Sequence, residues 1–156
     1  MKKSDQKDMI GMTIIVKVVT RLTVGLILLY GMYIVLHGHV SPGGGFAGGV
    51  IIALSFVHLM LAFGKEMVLK KLSEEVAEFF ESFGALLFAV IGITGLFFGY
   101  LFLNFLKKGE PFRLFSAGNI PLYNIAISLK VGAGLFTMIL VLVVLFSVTD
   151  DEHKRK

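Results

Sequence analysis

The eleven acidic side chains of this 156-residue chain are confined to residues 5 to 8, 66 to 81, 110 and 150 to 152. The stretches 9 to 65, 82 to 109 and 111 to 149 therefore carry no carboxylate at all. With 56% hydrophobic residues and a mean hydropathy of +0.84, too little polar surface remains to coat a soluble globule. Gaps of this kind fit membrane spans, which need about 20 mostly apolar residues to cross roughly 30 Å of hydrocarbon. Four segments qualify: 13 to 36, 42 to 63, 82 to 106 and 121 to 148. The expected fold is all-α, a single membrane domain over residues 1–156 with four transmembrane helices and one interfacial amphipathic helix.

The first span is read as a retained helix, because its apolar run is long, contains Arg21 and lacks a small-residue cleavage pattern before Pro42. There is no cysteine, so thiolate catalysis, disulfides and cysteine-bound metals are excluded within this chain. The net charge of +4 and the pI near 9.4 arise largely from chain ends and loops, which suits anionic lipid headgroups rather than nucleic acid. The N-terminal tail (Lys2, Lys3, Lys7), the 64 to 81 segment (Lys65, Lys70, Lys71) and the C-terminal tail (Lys154, Arg155, Lys156) hold most of the basic residues. The 37 to 41 loop holds none, and the 107 to 120 loop holds Lys107, Lys108 and Arg113. The positive-inside bias therefore puts both termini in the cytoplasm of a multi-pass protein of the cell membrane.

Residues 65 to 81 form the strongly amphipathic piece. Met67, Leu69, Leu72, Val76, Phe79 and Phe80 fall mostly on one side at helical spacing, with Lys and Glu opposite, as expected of an interfacial helix, whether separate from or continuous with the third span. Glu74, Glu78 and Glu81 share a face, read as solvated in preference to an ion-guiding acidic patch.

The stretch "HGHVSPGGGFAGG", residues 37 to 49, combines two histidines, a proline and a run of glycines. A phosphate loop would require a lysine just after the glycines, and the next one is Lys65, a whole span away. A metal site fares little better: His37 and His39 are two apart, His58 belongs to the opposite half of the membrane, and no carboxylate or thiol completes a shell. No metal and no cofactor is expected. A packing role accounts for more of the residues. Ser41 is placed to cap a helix whose first position is Pro42. Gly44 with Gly48, and Gly45 with Gly49, repeat every four residues and clear one helix face for a second backbone. Phe46 projects between them, and Gly43 completes the packing motif.

Lys17, Arg21 and Lys130 lie within spans. A cation facing lipid at the bilayer centre costs roughly 2.5 to 3.5 kcal/mol. Lys17 is near enough to the cytoplasmic end to snorkel. Arg21 lies about 5 Å to the cytoplasmic side of its helix centre and Lys130 about 7 Å to the other side of its own, at 1.5 Å per residue, so they do not share a partner. With no acid in any of the four spans, the chain offers neither cation a carboxylate. Backbone carbonyls, Asn124, Asn104 or water could solvate them, as could groups on neighbouring subunits. The missing membrane carboxylate argues for a subunit and against a self-sufficient carrier. His58 could titrate near neutral pH, although a lone histidine on an apolar helix is more often a packing residue.

Residues 38 to 49, "GHVSPGGGFAGG", resemble the signature of the MnhB/MrpB subunit of Mrp-type multisubunit Na⁺/H⁺ antiporters, a family marked by a GHxxPGGGFxGG pattern after the first span. The resemblance extends to Arg21, to Tyr33 and to "GNIPLYNIAISLKVGAGLF" at residues 118 to 136, and covers nearly the whole chain. Ala47 stands where many relatives carry Gln. The resemblance implies a small non-catalytic subunit whose partners are other Mrp-type antiporter subunits, with Na⁺ and H⁺ as the ions moved by the assembly. Similar subunits occur in archaeal membrane-bound hydrogenases and related redox complexes, whose subunits are then further expected partners. Arg21, His39, His58 and Lys130 are the ion-path or electrostatic candidates. A purely structural subunit with no share in ion passage is the competing expectation.

Overall fold

The computed structural model describes residues 12–106, 109 and 116–155; the remaining tail and loop positions, including Lys2, Lys3, Lys7, Lys107, Lys108, Arg113 and Lys156 of the charge count, lie outside the described residues. The elements are α1 (Ile14–Leu36), α2 (Gly44–Phe63), α3 (Lys65–Lys71), α4 (Glu74–Thr94) running into a 3₁₀ turn (Gly95–Phe98), and α5 (Ile120–Arg155), with no strand among the described residues. Among the described residues, four helical segments are long and apolar enough to cross a membrane: Ile14–Leu36, Gly44–Phe63, Glu74–Phe98 and Ile120–Phe146.

The order across the bundle is α1, α2, α5, α4. Helix α1 runs antiparallel to α2, since the Met12 N–H at its start donates to the Ala62 carbonyl near the end of α2. Helices α2 and α5 run parallel: Gly45 meets Asn124, Gly49 meets Ser128, and Phe56 packs edge-on against Phe136. Helix α4 closes the row antiparallel to α5, with Gly84 against Ala126 and Lys130. The start of α1, the end of α2, the start of α4 and the far end of α5 thus gather at one end of the bundle. At that end Val68 of α3 is fully buried with Met60, Ala77, Phe136 and Leu140.

Two boundaries depart from the sequence expectation. The 65 to 81 segment is not one interfacial helix. It breaks at Leu72 and Ser73, and the Ser73 hydroxyl oxygen accepts from the Val76 N–H at 3.4 Å to start α4, with Glu74 and Glu75 in the first turn where the helix dipole favours acids. Its first half is short and its second half is the opening of the third span. Val76, Phe79 and Phe80 face outward there, while the small Ala77 and Gly84 face the core.

The third span also ends at Phe98, not 106. Gly99 (φ 132°) turns the chain, and residues 100–106 double back on the helix end. The Phe102 N–H donates to the Gly92 carbonyl at 3.2 Å, and the Phe102 ring sits among Phe88 and Tyr123. Phe102 adopts φ 62°, a left-handed conformation costing roughly 1–2 kcal/mol for an L residue and held by that ring packing. The loop is then stapled to the start of α5. Asn104 Nδ2 donates to the Ala117 carbonyl at 3.0 Å and Asn119 Nδ2 to the Leu103 carbonyl at 3.1 Å; Asn104 Oδ1 accepts from the Asn119 N–H and Asn119 Oδ1 from the Leu106 N–H.

Candidate functional site: a glycine seam and a charged pair

The glycine run makes a turn followed by a helix, but not with the cap its sequence suggests. Ser41 Oγ donates back to the His37 carbonyl at 3.0 Å instead of capping α2, and Pro42 stays in the turn. The helix starts at Gly44, one residue after Gly43 (φ 114°), and Gly44 itself is at φ 53°. Two successive positive-φ residues cannot be ordinary side-chain positions, which is the local reason for glycine there.

The cleared face is filled from within the chain. A Cβ at Gly45 would strike the backbone of Asn124, and one at Gly49 would lie 2.9 Å from the Ser128 carbonyl oxygen. On the other side, a Cβ at Gly48 would lie 3.0 Å from the Gly31 carbonyl oxygen of α1. The motif therefore seats α2 between α1 and α5, so the seam needs no partner subunit to close it. Asn124, considered above as a solvating group for a cation, instead accepts the Gly45 N–H through Oδ1 at 3.2 Å. Asn104 is likewise committed to backbone. Phe46 is the exception in the motif: it is 63% exposed and touches the outside of the bundle.

The four polar candidates separate into three places. Arg21 lies on the α1–α2 seam with its guanidinium carbon 5.2 Å above the Phe63 ring, at the last residue of α2. His58, half-buried on the same seam, has Nε2 3.5 Å from Thr23 Oγ1. His39 is half-buried in the turn at the opposite end of α2. Lys130 is on the far side, between α5 and α4.

There the expectation of a span without acid fails. Because α4 begins at Glu74, Glu81 is already two turns inside a spanning helix, and Lys130 Nζ donates to Glu81 Oε1 at 3.3 Å. The Glu81 carboxyl lies 3.4 Å from where a Cβ on Gly134 would be, within a residue of the midpoint of the Ile120–Phe146 span. Lys130 starts about 4.5 Å from that midpoint on the other side, so its side chain reaches along α5 toward it, while Glu81 lies about 7.5 Å from the midpoint of its own Glu74–Phe98 span, toward the start of α4. The side chains remain 52% and 37% exposed, on the outer face of the bundle. Lys130 is thus neutralised within the chain, and Glu81 is the functional candidate that the sequence reading placed in the interfacial helix. The Ser73 cap followed by Glu74 and Glu75 was the signal that could have moved it into the span.

Four apolar helices joined along a glycine seam, with an ion pair between two of the spanning segments, define a small multi-pass membrane protein. The chain matches over residues 15–148 the family described as a domain related to the MnhB subunit of Na⁺/H⁺ antiporter, and it belongs to that family. It is 36% identical over 140 residues to protein MJ1307 of Methanocaldococcus jannaschii, covering 83% of this chain and 53% of that one. Antiporter subunit mnhB2 of Staphylococcus aureus (strain Newman) is 37% identical over 91 residues, 58% of this chain and 64% of the other. Among solved structures, a chain of the membrane-bound sulfane sulfur reductase, an archaeal respiratory membrane complex, superposes with a TM-score of 0.71 at 33% identity, covering 81% of this chain and 56% of that chain. The chain thus spans about half the length of MJ1307 and of the solved chain.

Proposed function

We propose that this chain is an integral membrane subunit of an Mrp-type cation/proton antiporter module, contributing to assembly and to the Na⁺ or H⁺ path where it meets other subunits. The observation that carries the reading is the Glu81–Lys130 pair, held between two spanning helices yet open on the outer face of the bundle. A structural subunit has no use for an exposed ion pair inside spanning segments, where each charge faces a desolvation cost of several kcal/mol unless other polar groups or water meet it. Arg21 and His58 on the α1–α2 seam and His39 in the turn are secondary electrostatic candidates. Both chain ends lie in the cytoplasm in this reading, and the chain itself performs no covalent chemistry. The likeness to the respiratory complex extends the proposal to two hosts, a free-standing antiporter and a redox-driven ion pump.

Purification from native membranes in mild detergent, with mass spectrometry of what accompanies the chain, tests this. Antiporter subunits alone would identify the free-standing exchanger, and antiporter subunits together with metal-cluster subunits the redox-driven pump. Recovery of the chain alone, still transporting ions, would refute the subunit reading.

A further inference from the structure

Two glycines, Gly132 and Gly134, follow Lys130 along α5. Two residues apart on a helix, they point about 200° away from each other, so they do not serve the same neighbour. A Cβ on Gly132 would have backbone atoms of Gly49 on α2 as its nearest neighbours, the carbonyl oxygen at 3.3 Å. A Cβ on Gly134 would instead meet the Glu81 carboxyl, its carbon and Oε1 at 3.4 Å and Oε2 at 3.6 Å. Gly132 thus belongs to the α2–α5 seam. The three nearest atoms at Gly134 are all those of the carboxyl.

The place of Gly134 explains how the ion pair forms between α4 and α5. Glu81 lies three residues before Gly84, where the two backbones come closest: a Cβ on Gly84 would lie 2.7 Å from Lys130 N and 2.8 Å from the Ala126 carbonyl oxygen. With the backbones so near, the Glu81 side chain has little height above α5. Its carboxyl lies down over Gly134, which stands one turn from Lys130 on the same face, and from there Oε1 accepts from Lys130 Nζ at 3.3 Å. Helix packing alone does not require a glycine at 134. A contact at 3.4 Å is an ordinary van der Waals separation, so a single methyl fits against the carboxyl without moving α4, whereas the same methyl at Gly84 strikes backbone. A valine is different. Its two methyls, held by the stiff χ1 of a β-branched residue in a helix, intrude on the space the carboxyl fills.

Resting on the ion-path reading above, we infer that Gly134 is a positioning residue of that path: its bare Cα is the seat that holds the Glu81 carboxylate within reach of Lys130. The size of the residue at 134 then decides whether the pair forms.

A comparison of the two glycines in two backgrounds tests this. Gly134→Val and Gly132→Val are each made in the native chain and in a chain whose pair is removed by Glu81→Ala with Lys130→Met, which also empties the seat. Unfolding midpoints of the full chain are read in lipid nanodiscs. Gly134→Val should cost about 3 °C or more in the native chain and no more than about 1–2 °C in the pair-free chain. Gly132→Val, which strikes the Gly49 backbone, should cost the same in both. Gly134→Ala should melt no lower than the native chain, since alanine is also the better helix former. In vesicles holding the intact complex, Gly134→Val should lower cation-coupled proton movement per assembled complex about tenfold, the equivalent of one charged hydrogen bond. An equal cost of Gly134→Val in both backgrounds would make it a packing glycine and overturn the inference, as would full transport by the assembled Gly134→Val complex. Normal transport by an assembled complex lacking both charges would instead overturn the ion-path reading, with the seat still established by the melting comparison.

Discussion

Gly45→Ala isolates the packing of α2 on α5 with the smallest change available. An ideal Cβ at this position lies 2.8 Å from Asn124 Cα and 2.9 Å from its carbonyl carbon, with the carbonyl oxygen closer still. All three atoms are backbone, so no rotamer change relieves the contact. Restoring an ordinary separation of about 3.4 Å from that nearest atom requires the helices to part by roughly 1 Å. The Gly45 N–H to Asn124 Oδ1 bond, already 3.2 Å long, then passes out of range. Overpacking costs about 1–3 kcal/mol and the lost bond about 1 more, so the variant should lose roughly 2–4 kcal/mol. For a chain of this size that is a fall of about 5–15 °C in unfolding midpoint. Gly25→Ala on α1 is the matched control, because no atom lies within 4 Å of its Cβ and alanine gains about 0.5–1 kcal/mol of helix stability over glycine. The assay is the fraction of purified chain retaining its gel-filtration position after a series of heating steps in detergent. If Gly45→Ala melts no lower than Gly25→Ala, the seam is not where the stability of the α2–α5 contact resides.

Asn119→Ala removes two of the four side-chain bonds that tie the 99–106 return to the start of α5, and at 1% exposure no water replaces them; amide exchange at Leu106 should speed by tenfold or more, measured by hydrogen–deuterium exchange. Lys130→Ala should leave the complex assembled but reduce its cation-coupled proton movement in vesicles, and unchanged transport would remove Lys130 from the mechanism. Arg21→Ala should lower stability by no more than about 1 kcal/mol, the worth of an exposed cation–π contact with Phe63. A much larger loss in the same thermal assay would mean that Arg21 has a partner besides that ring.

The parts of the fold written in the sequence are those set by hydropathy and by glycine. Long acid-free runs locate the four crossings, and the four-residue spacing of Gly44, Gly45, Gly48 and Gly49 locates a close helix contact. What the sequence does not say is which helix fills that face. The spacing is the same whether the visitor is a partner or α5 of the same chain, and only the tertiary arrangement brings Asn124 and Ser128 to it. The start of α4 departs from the sequence expectation for a different reason. Ending a span at its last acid assumes that no acid enters the membrane, which places Glu81 outside by construction. The return at residues 99–106 was hidden because Phe98, Tyr100, Leu101 and Phe102 are as apolar as the helix before them, and the reversal depends on Gly99, on a strained Phe102 and on the distant Asn119.

The ion pair makes its own demand on the energetics, and a double-mutant cycle addresses it. Inside a spanning segment a lone charge is expensive, so Lys130→Met should destabilise by stranding Glu81, and Glu81→Gln by stranding Lys130. Together the two substitutions remove both charges from the outer face and leave nothing stranded, so the double variant should be more stable than the sum of the single losses requires. The expected coupling is about 1–3 kcal/mol, read from unfolding midpoints of the isolated chain in lipid nanodiscs. Strict additivity would mean that the two side chains do not depend on each other at that depth. If coupling is found, neither charge needs a partner subunit merely to be neutralised, and the case for a partner rests on the hydrogen-bonding capacity the pair still holds outward and on the company its relatives keep.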